Sequence, residues 1–426
     1  MMWRSIQNEE KIHADDGCSD ERAACFHSKK YRIKQQSKRR KQVVFVTGFV
    51  FALIVLCLLY SKYHYYDAVP GWDQNKTRDI MHYVQPNRNT TLLQPSKLCN
   101  GPEKNLLIIV VCSSLNHFES RQTIRETWGN SSAFNFKQFT VIHHSKHNEN
   151  YLNVNYADWK RYAINGDDVS SAYSSDFRVQ VVFLIGQTTD NETQAKIIEE
   201  HHMYNDIIQS SFLDTYNNLT LKTVMMLKWV NDECADKVKY VMKSDDDTFV
   251  NVPNLIQFLM GGSIPAYNAS LKLIESKTNF HCDSPSTNRL NRFDGLLIGS
   301  RYCNANPVSY RFSKWYMPHH MYDKETYPNY LSGSGYLMSI DAAIKLYKVS
   351  MHIPLLYLED VFLTGLCAES ASIMPLNNDF FHYSSYDDVC ELRGMITLHE
   401  IKTRSAMKEA YESLLNPKLT CASPNE

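Results

Sequence analysis

The alternation of apolar and polar positions divides the chain into one isolated hydrophobic span and a long mixed region. Val43 to Tyr60 is a run of 18 residues without a charge. That length crosses a bilayer, particularly a thin one of the early secretory pathway. Residues 61–97 are polar, carry Pro70, Pro86 and Pro95 and show no periodicity, so they predict an extended stem. A folded domain is then predicted over residues 98–426. Leu106 to Val111 is continuously aliphatic, as a strand covered on both faces should be. Phe139 to His143 and Val179 to Ile185 repeat the pattern, and Tyr240 to Lys243 makes a fourth strand. Between the strands, Asn191 to Tyr204 predicts an amphipathic helix capped by Asn191 or Thr193. Leu219 to Val230 places Leu221, Val224, Met225, Leu227 and Trp229 at helical spacing, where their main work is core packing. Strands alternating with helices predict an α/β sheet covered by helices.

Charge gives the span a direction. Residues 29–41 hold Lys29, Lys30, Arg32, Lys34, Lys38, Arg39, Arg40 and Lys41 and no acid. Such a run can be a nuclear localisation signal, but it abuts the apolar segment, which favours a topogenic role. The positive flank precedes the span and keeps residues 1–42 cytosolic; residues 43–60 form a signal-anchor and the rest is lumenal. Tyr60, Tyr63, Tyr65 and Tyr66 supply an interfacial belt, and no small-residue cleavage site follows the span. Six Asn-x-Ser/Thr sequons, at Asn75, Asn89, Asn130, Asn191, Asn218 and Asn268, all lie beyond the span, as expected of a glycoprotein. Of 11 cysteines, eight are on the lumenal side: Cys99, Cys112, Cys234, Cys282, Cys303, Cys367, Cys390 and Cys421. That compartment favours disulfides, whose pairing the spacing leaves open. No Cys-x-x-Cys occurs, which disfavours a zinc knuckle. The net charge of -1 over 426 residues gives no electrostatic case for a nucleic-acid partner.

Candidate chemistry centres on Lys243-Ser244-Asp245-Asp246-Asp247. Three consecutive carboxylates cannot enter a core without countercharge, so they mark the end of the Tyr240 strand. In an open α/β sheet ligands bind at that end, and hard carboxylate oxygens there suit Mg²⁺ or Mn²⁺. The bland alternative is a solvated acidic turn. A Glu359-Asp360 pair lies inside the apolar stretch Leu355 to Gly365, where buried carboxylates serve as bases or cap a helix. His399 ends the strand-like run from Met395, and such a histidine by itself is more often structural than a ligand. Residues 279–335 are rich in aromatics, among them Tyr302, Tyr310, Trp315 and Tyr330, whose faces suit sugar rings. Gly333 and Gly335 in Ser-Gly-Ser-Gly permit close backbone approach, but no lysine follows, so this is not a P-loop.

Five blocks in this order resemble one known family: Arg121-Gln122-Thr123-Ile124-Arg125-Glu126-Thr127-Trp128-Gly129, Asp206-Ile207-Ile208, Asn218-Leu219-Thr220-Leu221-Lys222-Thr223, Lys243 to Asp247, and Glu359 to Gly365. Over about residues 104–421 the chain is similar to the β-1,3-galactosyltransferases and β-1,3-N-acetylglucosaminyltransferases of the Golgi. The resemblance implies a GT-A fold, a Rossmann-like nucleotide-sugar half fused to an acceptor-binding half, behind a single type II membrane anchor. It implies transfer of galactose or N-acetylglucosamine from UDP-galactose or UDP-N-acetylglucosamine to the 3-hydroxyl of a glycan on glycoprotein or glycolipid. Leu331, where members carry Cys or Ala before the Ser-Gly-x-Gly loop, leaves the donor open.

The implied roles are residue-specific. Making a β-linkage from a UDP-α-sugar inverts the anomeric centre, so a base must take the acceptor proton; by resemblance that base is Asp360. Asp247 and His399 are the implied metal ligands, for Mn²⁺, which neutralises the leaving diphosphate. Asp245 and Asp246 fall on the nucleotide-sugar side, with Lys243, Arg121 and Arg125. The two arginines either clamp phosphate or form salt bridges on a helix surface. Other readings are a non-catalytic lectin or partner protein built on this fold, and a glycosidase using paired carboxylates. The full set Asp245, Asp247, Asp360 and His399 argues against the first, and the Asp triplet with a metal-type histidine against the second.

Overall fold

A computed structural model of the chain describes residues 22–67, 77–96, 98–101, 105–130, 178–259, 261–276, 290, 293–416 and 418–423. Contacts divide the chain into two units, residues 1–68 and 69–426. In the first, helix α1 (Arg22–Asp67) contains the apolar run. Among the described residues it is the one helix long and apolar enough to cross a membrane, with residues 34–59 meeting that test and none of its apolar window buried.

The second unit is a mixed α/β body. Its strands are β1 (Thr91–Leu93), β2 (Asn105–Cys112), β3 (Arg178–Gln187), β4 (Ile207–Leu213), β5 (Val238–Asp245), β6 (Phe249–Val250), β7 (Leu297–Tyr302), β8 (Tyr330–Ser339), β9 (Leu376–Asn377) and β10 (Thr397–Leu398). Eight of them make one sheet in the order β1-β4-β3-β2-β5-β8-β7-β9, while β10 and β6 pair separately. The four central strands β4, β3, β2 and β5 are parallel; β8 joins β5 antiparallel.

Each expected strand that falls among described residues is present. β2 shows why an unbroken aliphatic run suits the centre of such a sheet. Ile108 and Val110 enter one core with Val224, Leu227 and Leu346, whereas Leu107, Ile109 and Val111 enter the opposite core with Ile124, Phe249 and Phe258. The strand expected at Phe139 to His143 lies outside the described residues, as does the sequon at Asn75.

Three expectations need correction. The helix Asn191–Tyr204 is capped not by Asn191 or Thr193 but by Asp190, whose side chain accepts from the Thr193 backbone N–H. That carboxylate also complements the positive end of the helix. The stem does not reach residue 97. Arg78 donates to the carbonyls of Leu355 and Met321, Ile80 and Val84 are fully buried, and β1 pairs with β4. These elements are too short to show a period, so tertiary bonds rather than pattern hold them. Among the cysteines, Cys99 bonds Cys234 and Cys390 bonds Cys421, and Cys303 is also disulfide-bonded. Cys112 and Cys367, however, are buried free thiols.

Candidate functional site

The order of the parallel strands locates the site. From β2 the chain lays β3 and β4 to one side and β5 to the other, so the sheet changes winding direction between β2 and β5. At such a switch point the connections leave in opposite directions and open a crevice at the carboxyl ends of the strands. Cys112 and Asp245 are register partners at that end. The Asp triplet therefore stands at the mouth of the crevice.

Its members point to different partners. Asp246 accepts from the Ser113 hydroxyl at 2.7 Å and lies 2.8 Å from His117 Nδ1. The hydrogen bond to Asp246 raises the His117 pKa, against the effect of burial. Asp245 Oδ1 accepts from Lys243 Nζ at 2.6 Å; burial nevertheless raises its pKa. Asp247 faces His399, with Oδ1 3.0 Å from Nε2, and His399 Nε2 is 3.9 Å from Asp245 Oδ2.

A small sheet brings His399 there. β10 pairs antiparallel with β6, Leu398 opposite Phe249 and Thr397 opposite Val250. After His399 the chain turns through Glu400 at φ 66°, a conformation unfavourable for a residue with a side chain. The turn lets the Ile401 N–H donate to the Asp247 carbonyl at 2.9 Å. His399 Nδ1 lies 3.1 Å from the Tyr383 carbonyl. A carbonyl only accepts, so Nδ1 carries a proton; Nε2 donates to Asp247 when the ring is protonated and offers its lone pair to a cation when the ring is neutral. Burial lowers the His399 pKa, but the bond and charge of Asp247 outweigh it and the net shift is upward. Asp247 is correspondingly held down by His399 against burial.

Asp245, Asp247 and His399 each offer a ligand atom, all within 4.8 Å of one another. Two carboxylate oxygens, one imidazole nitrogen and an outer carbonyl fixing the ring are a donor set that fits a divalent cation.

Asp360 lies against Gly333 of β8, where an added Cβ would sit 3.7 Å from its Oδ2. It caps a π-helical turn, Val361–Cys367, by accepting from the Val361 N–H at 2.8 Å. Of the Glu359-Asp360 pair, Asp360 thus caps a helical turn and is partly buried, while Glu359 is buried. Burial raises its pKa. The half-buried Tyr302 and Tyr330 stack with ring centroids 5.2 Å apart. Burial first, and the Asp360 charge with other neighbours after it, push both phenols up. Burial and then Asp360 push Tyr216 to about 12.

Arg121 and Arg125 are not brought into the crevice. Arg121 is fully buried, with Nε and Nη2 on Glu200 and Nη1 on Ser113 and the Ser114 carbonyl. Arg125 binds Asp206 with two nitrogens, pairs with Glu200 at 2.8 Å and lies over the Phe183 and Tyr204 rings. Both guanidinium groups are spent on protein, and the network is interior rather than on a helix surface. It ties the helix Phe118–Glu126 to β4 and the helix Asn191–Tyr204, and so shapes the wall behind Ser113. Lys243 is also internal, 2 % exposed.

Ser113, His117, Tyr383 and Tyr336 belong to this neighbourhood without a sequence signal. Tyr383 acts through its backbone, and the other three are ordinary polar residues until the fold brings them against a charge.

A family model described as galactosyltransferase matches residues 119–379. The chain is 33 % identical over 369 residues to β-1,3-galactosyltransferase 1 of Homo sapiens and to that of Mus musculus, covering 83 % of this chain and 92 % of each relative. It is 31 % identical over 336 residues to β-1,3-galactosyltransferase 2 of Homo sapiens, covering 76 % of this chain and 64 % of that one.

Proposed function

The chain belongs to the galactosyltransferase family, and on that premise we propose that it moves galactose from UDP-galactose to the 3-hydroxyl of an acceptor glycan with inversion. The observation that carries this is the pairing of a cation-competent cluster, Asp245, Asp247 and His399, with a separate, partly buried carboxylate, Asp360, beside Gly333 of β8. A glycosyl transferase needs both: a charge sink for the departing diphosphate and a base for the incoming hydroxyl. The alternating α/β body with its switch point supports a GT-A fold. Residues 1–42 are assigned to the cytosol, 43–60 to the anchor and the later residues to the Golgi lumen, with the catalytic domain beginning within residues 77–98.

Asp247 and His399 would hold the ion, with Asp245 beside them, and a mixed oxygen and imidazole set favours Mn²⁺. When bound, the ion supplies Lewis-acid stabilisation of the diphosphate leaving group. Lys243 keeps Asp245 ionised and oriented from below. Asp246, held by Ser113 and His117, lines the nucleotide side of the crevice. Asp360 takes the proton from the acceptor 3-hydroxyl as its oxygen attacks the face of the sugar opposite the leaving group. A buried carboxylate is the stronger base, since desolvation disfavours its charge.

The test uses the full-length chain in detergent micelles with Mn²⁺ and a panel of acceptor glycans, assayed for UDP release. Acceptor-dependent release from UDP-galactose, lost in EDTA, is expected. Release from UDP-N-acetylglucosamine instead would reassign the donor. No turnover with either, together with no UDP binding, would overturn the proposal.

A further inference from the structure

Beside Gly333 of β8 lies a charged cluster in which Glu359 and Tyr336 have no part in the transfer step as described. Lys243 Nζ is 2.6 Å from Asp245 Oδ1 and 3.9 Å from Glu359 Oε2, and it also donates to the Gly333 carbonyl. The other Glu359 oxygen accepts from the Tyr336 hydroxyl at 2.6 Å. Tyr336 is the cross-strand partner of Lys243 in the β5–β8 ladder, so the tyrosine and the ammonium approach Glu359 from adjacent strands. Lys243 is 2 %, Glu359 6 % and Tyr336 0 % exposed. A Cβ on Gly333 would lie 3.4 Å from Glu359 Oε2 and 3.7 Å from Asp360 Oδ2, so this stretch of β8 packs directly on both carboxylates.

One ammonium thus joins a carboxylate of the cation cluster, the Gly333 carbonyl of β8, and the residue adjacent to Asp360. Stability does not explain Glu359, because Asp245 already pairs with Lys243, and a second buried carboxylate adds a desolvation cost. Burial is the main cause that pushes Glu359 up to about 7. The arrangement has the form of an outer shell that orients reacting groups through fixed hydrogen bonds.

We propose that Glu359 is a positioning residue for glycosyl transfer, setting the separation of Asp245 and Asp360 through the Lys243 ammonium and the Gly333 carbonyl. This rests on the assignment of Asp360 as the base. Without the Glu359 charge, Lys243 is drawn toward Asp245 alone, the β8 strand at Gly333 loses its anchor, and Asp360 moves with the neighbouring backbone. A misplacement of this kind lowers kcat and leaves donor binding almost untouched.

The experiment compares Glu359→Gln, Tyr336→Phe and Asp360→Asn with the parent in the full-length chain. The readouts are kcat per UDP-binding site and the KM for UDP-galactose, both with Mn²⁺. Glu359→Gln keeps the shape and the acceptor for Tyr336. Its expected result is a kcat about tenfold to a hundredfold lower with a donor KM within about threefold of the parent. A kcat per site within about twofold of the parent, or a change confined to KM, overturns the proposal. Should Glu359→Gln fail to fold, Tyr336→Phe decides: a severalfold loss of kcat at unchanged KM supports it, and parental kcat sinks it. Asp360→Asn separates the two claims. An active Asp360→Asn ends the base assignment and the positioning role with it. An inactive Asp360→Asn beside a parent-like Glu359→Gln removes the positioning role alone.

Discussion

His399 Nε2 lies 3.0 Å from Asp247 Oδ1, and the antiparallel β6–β10 pair that joins them places both at the same end of one short ladder. The bond from Ile401 N–H to the Asp247 carbonyl closes the turn between them. The histidine is thus positioned by backbone geometry, and its ring is oriented by Tyr383.

Replacing His399 with alanine removes a nitrogen ligand and leaves the β10 backbone intact. The Mn²⁺ concentration giving half-maximal activity is expected to rise about tenfold to a hundredfold. A metal titration of the purified variant checks this, and an unchanged midpoint excludes His399 from the cation site.

Asp360→Asn is nearly isosteric and keeps an acceptor for the Val361 N–H. It removes the proton acceptor, so kcat is expected to fall by about a hundredfold to ten-thousandfold. UDP affinity should stay within about threefold, since the proposed base serves the acceptor rather than the nucleotide. Calorimetric UDP titration alongside turnover measures both.

Activity has an acid limit set by Asp360. Burial raises its pKa, and only the ionised form accepts the acceptor proton. Falling pH therefore removes activity at a pH above the range of an ordinary exposed aspartate. The pH profile of kcat/KM should show this limb, which a limb at the ordinary value of about 3.9 would contradict.

Glu200→Gln strikes the structural network. Arg121 is fully buried and Glu200 supplies its carboxylate at 2.7 Å. Leaving a buried guanidinium without its counterion costs about 3–5 kcal/mol. Thermal or urea unfolding should show a clear loss of stability, whereas Lys196→Gln, at an exposed ion pair, should change stability by under about 1 kcal/mol.

The two arginines show where sequence reasoning stops. Arg121 and Arg125 sit on a helix near the expected nucleotide site, and a phosphate clamp and a salt bridge use the same guanidinium chemistry. Their partners Glu200 and Asp206 lie in the last turns of another helix and just beyond its C-terminus, so only packing decides between the uses. Asp360 was more legible: a carboxylate pair inside an apolar stretch has to be capped, paired or reactive wherever it falls. Glu359 shared that signal but not its meaning, which depends on Tyr336 and Lys243 meeting across β5 and β8.

What the sequence by itself determined is local and repetitive. The apolar span and its basic flank, the aliphatic strands, the helices between them and the halt of β5 at three aspartates all follow from side-chain period and desolvation, which act over a few residues. Only the tertiary structure decided what depends on long-range approach. It put Asp245 at the winding switch beside Cys112, turned Asp246 toward Ser113 and away from the cluster, carried His399 to Asp247, and folded residues 77–96 onto the body. The reason is physical: period reports which face of an element is buried, while the direction of a charge is set by whichever partner the completed sheet brings within hydrogen-bond reach.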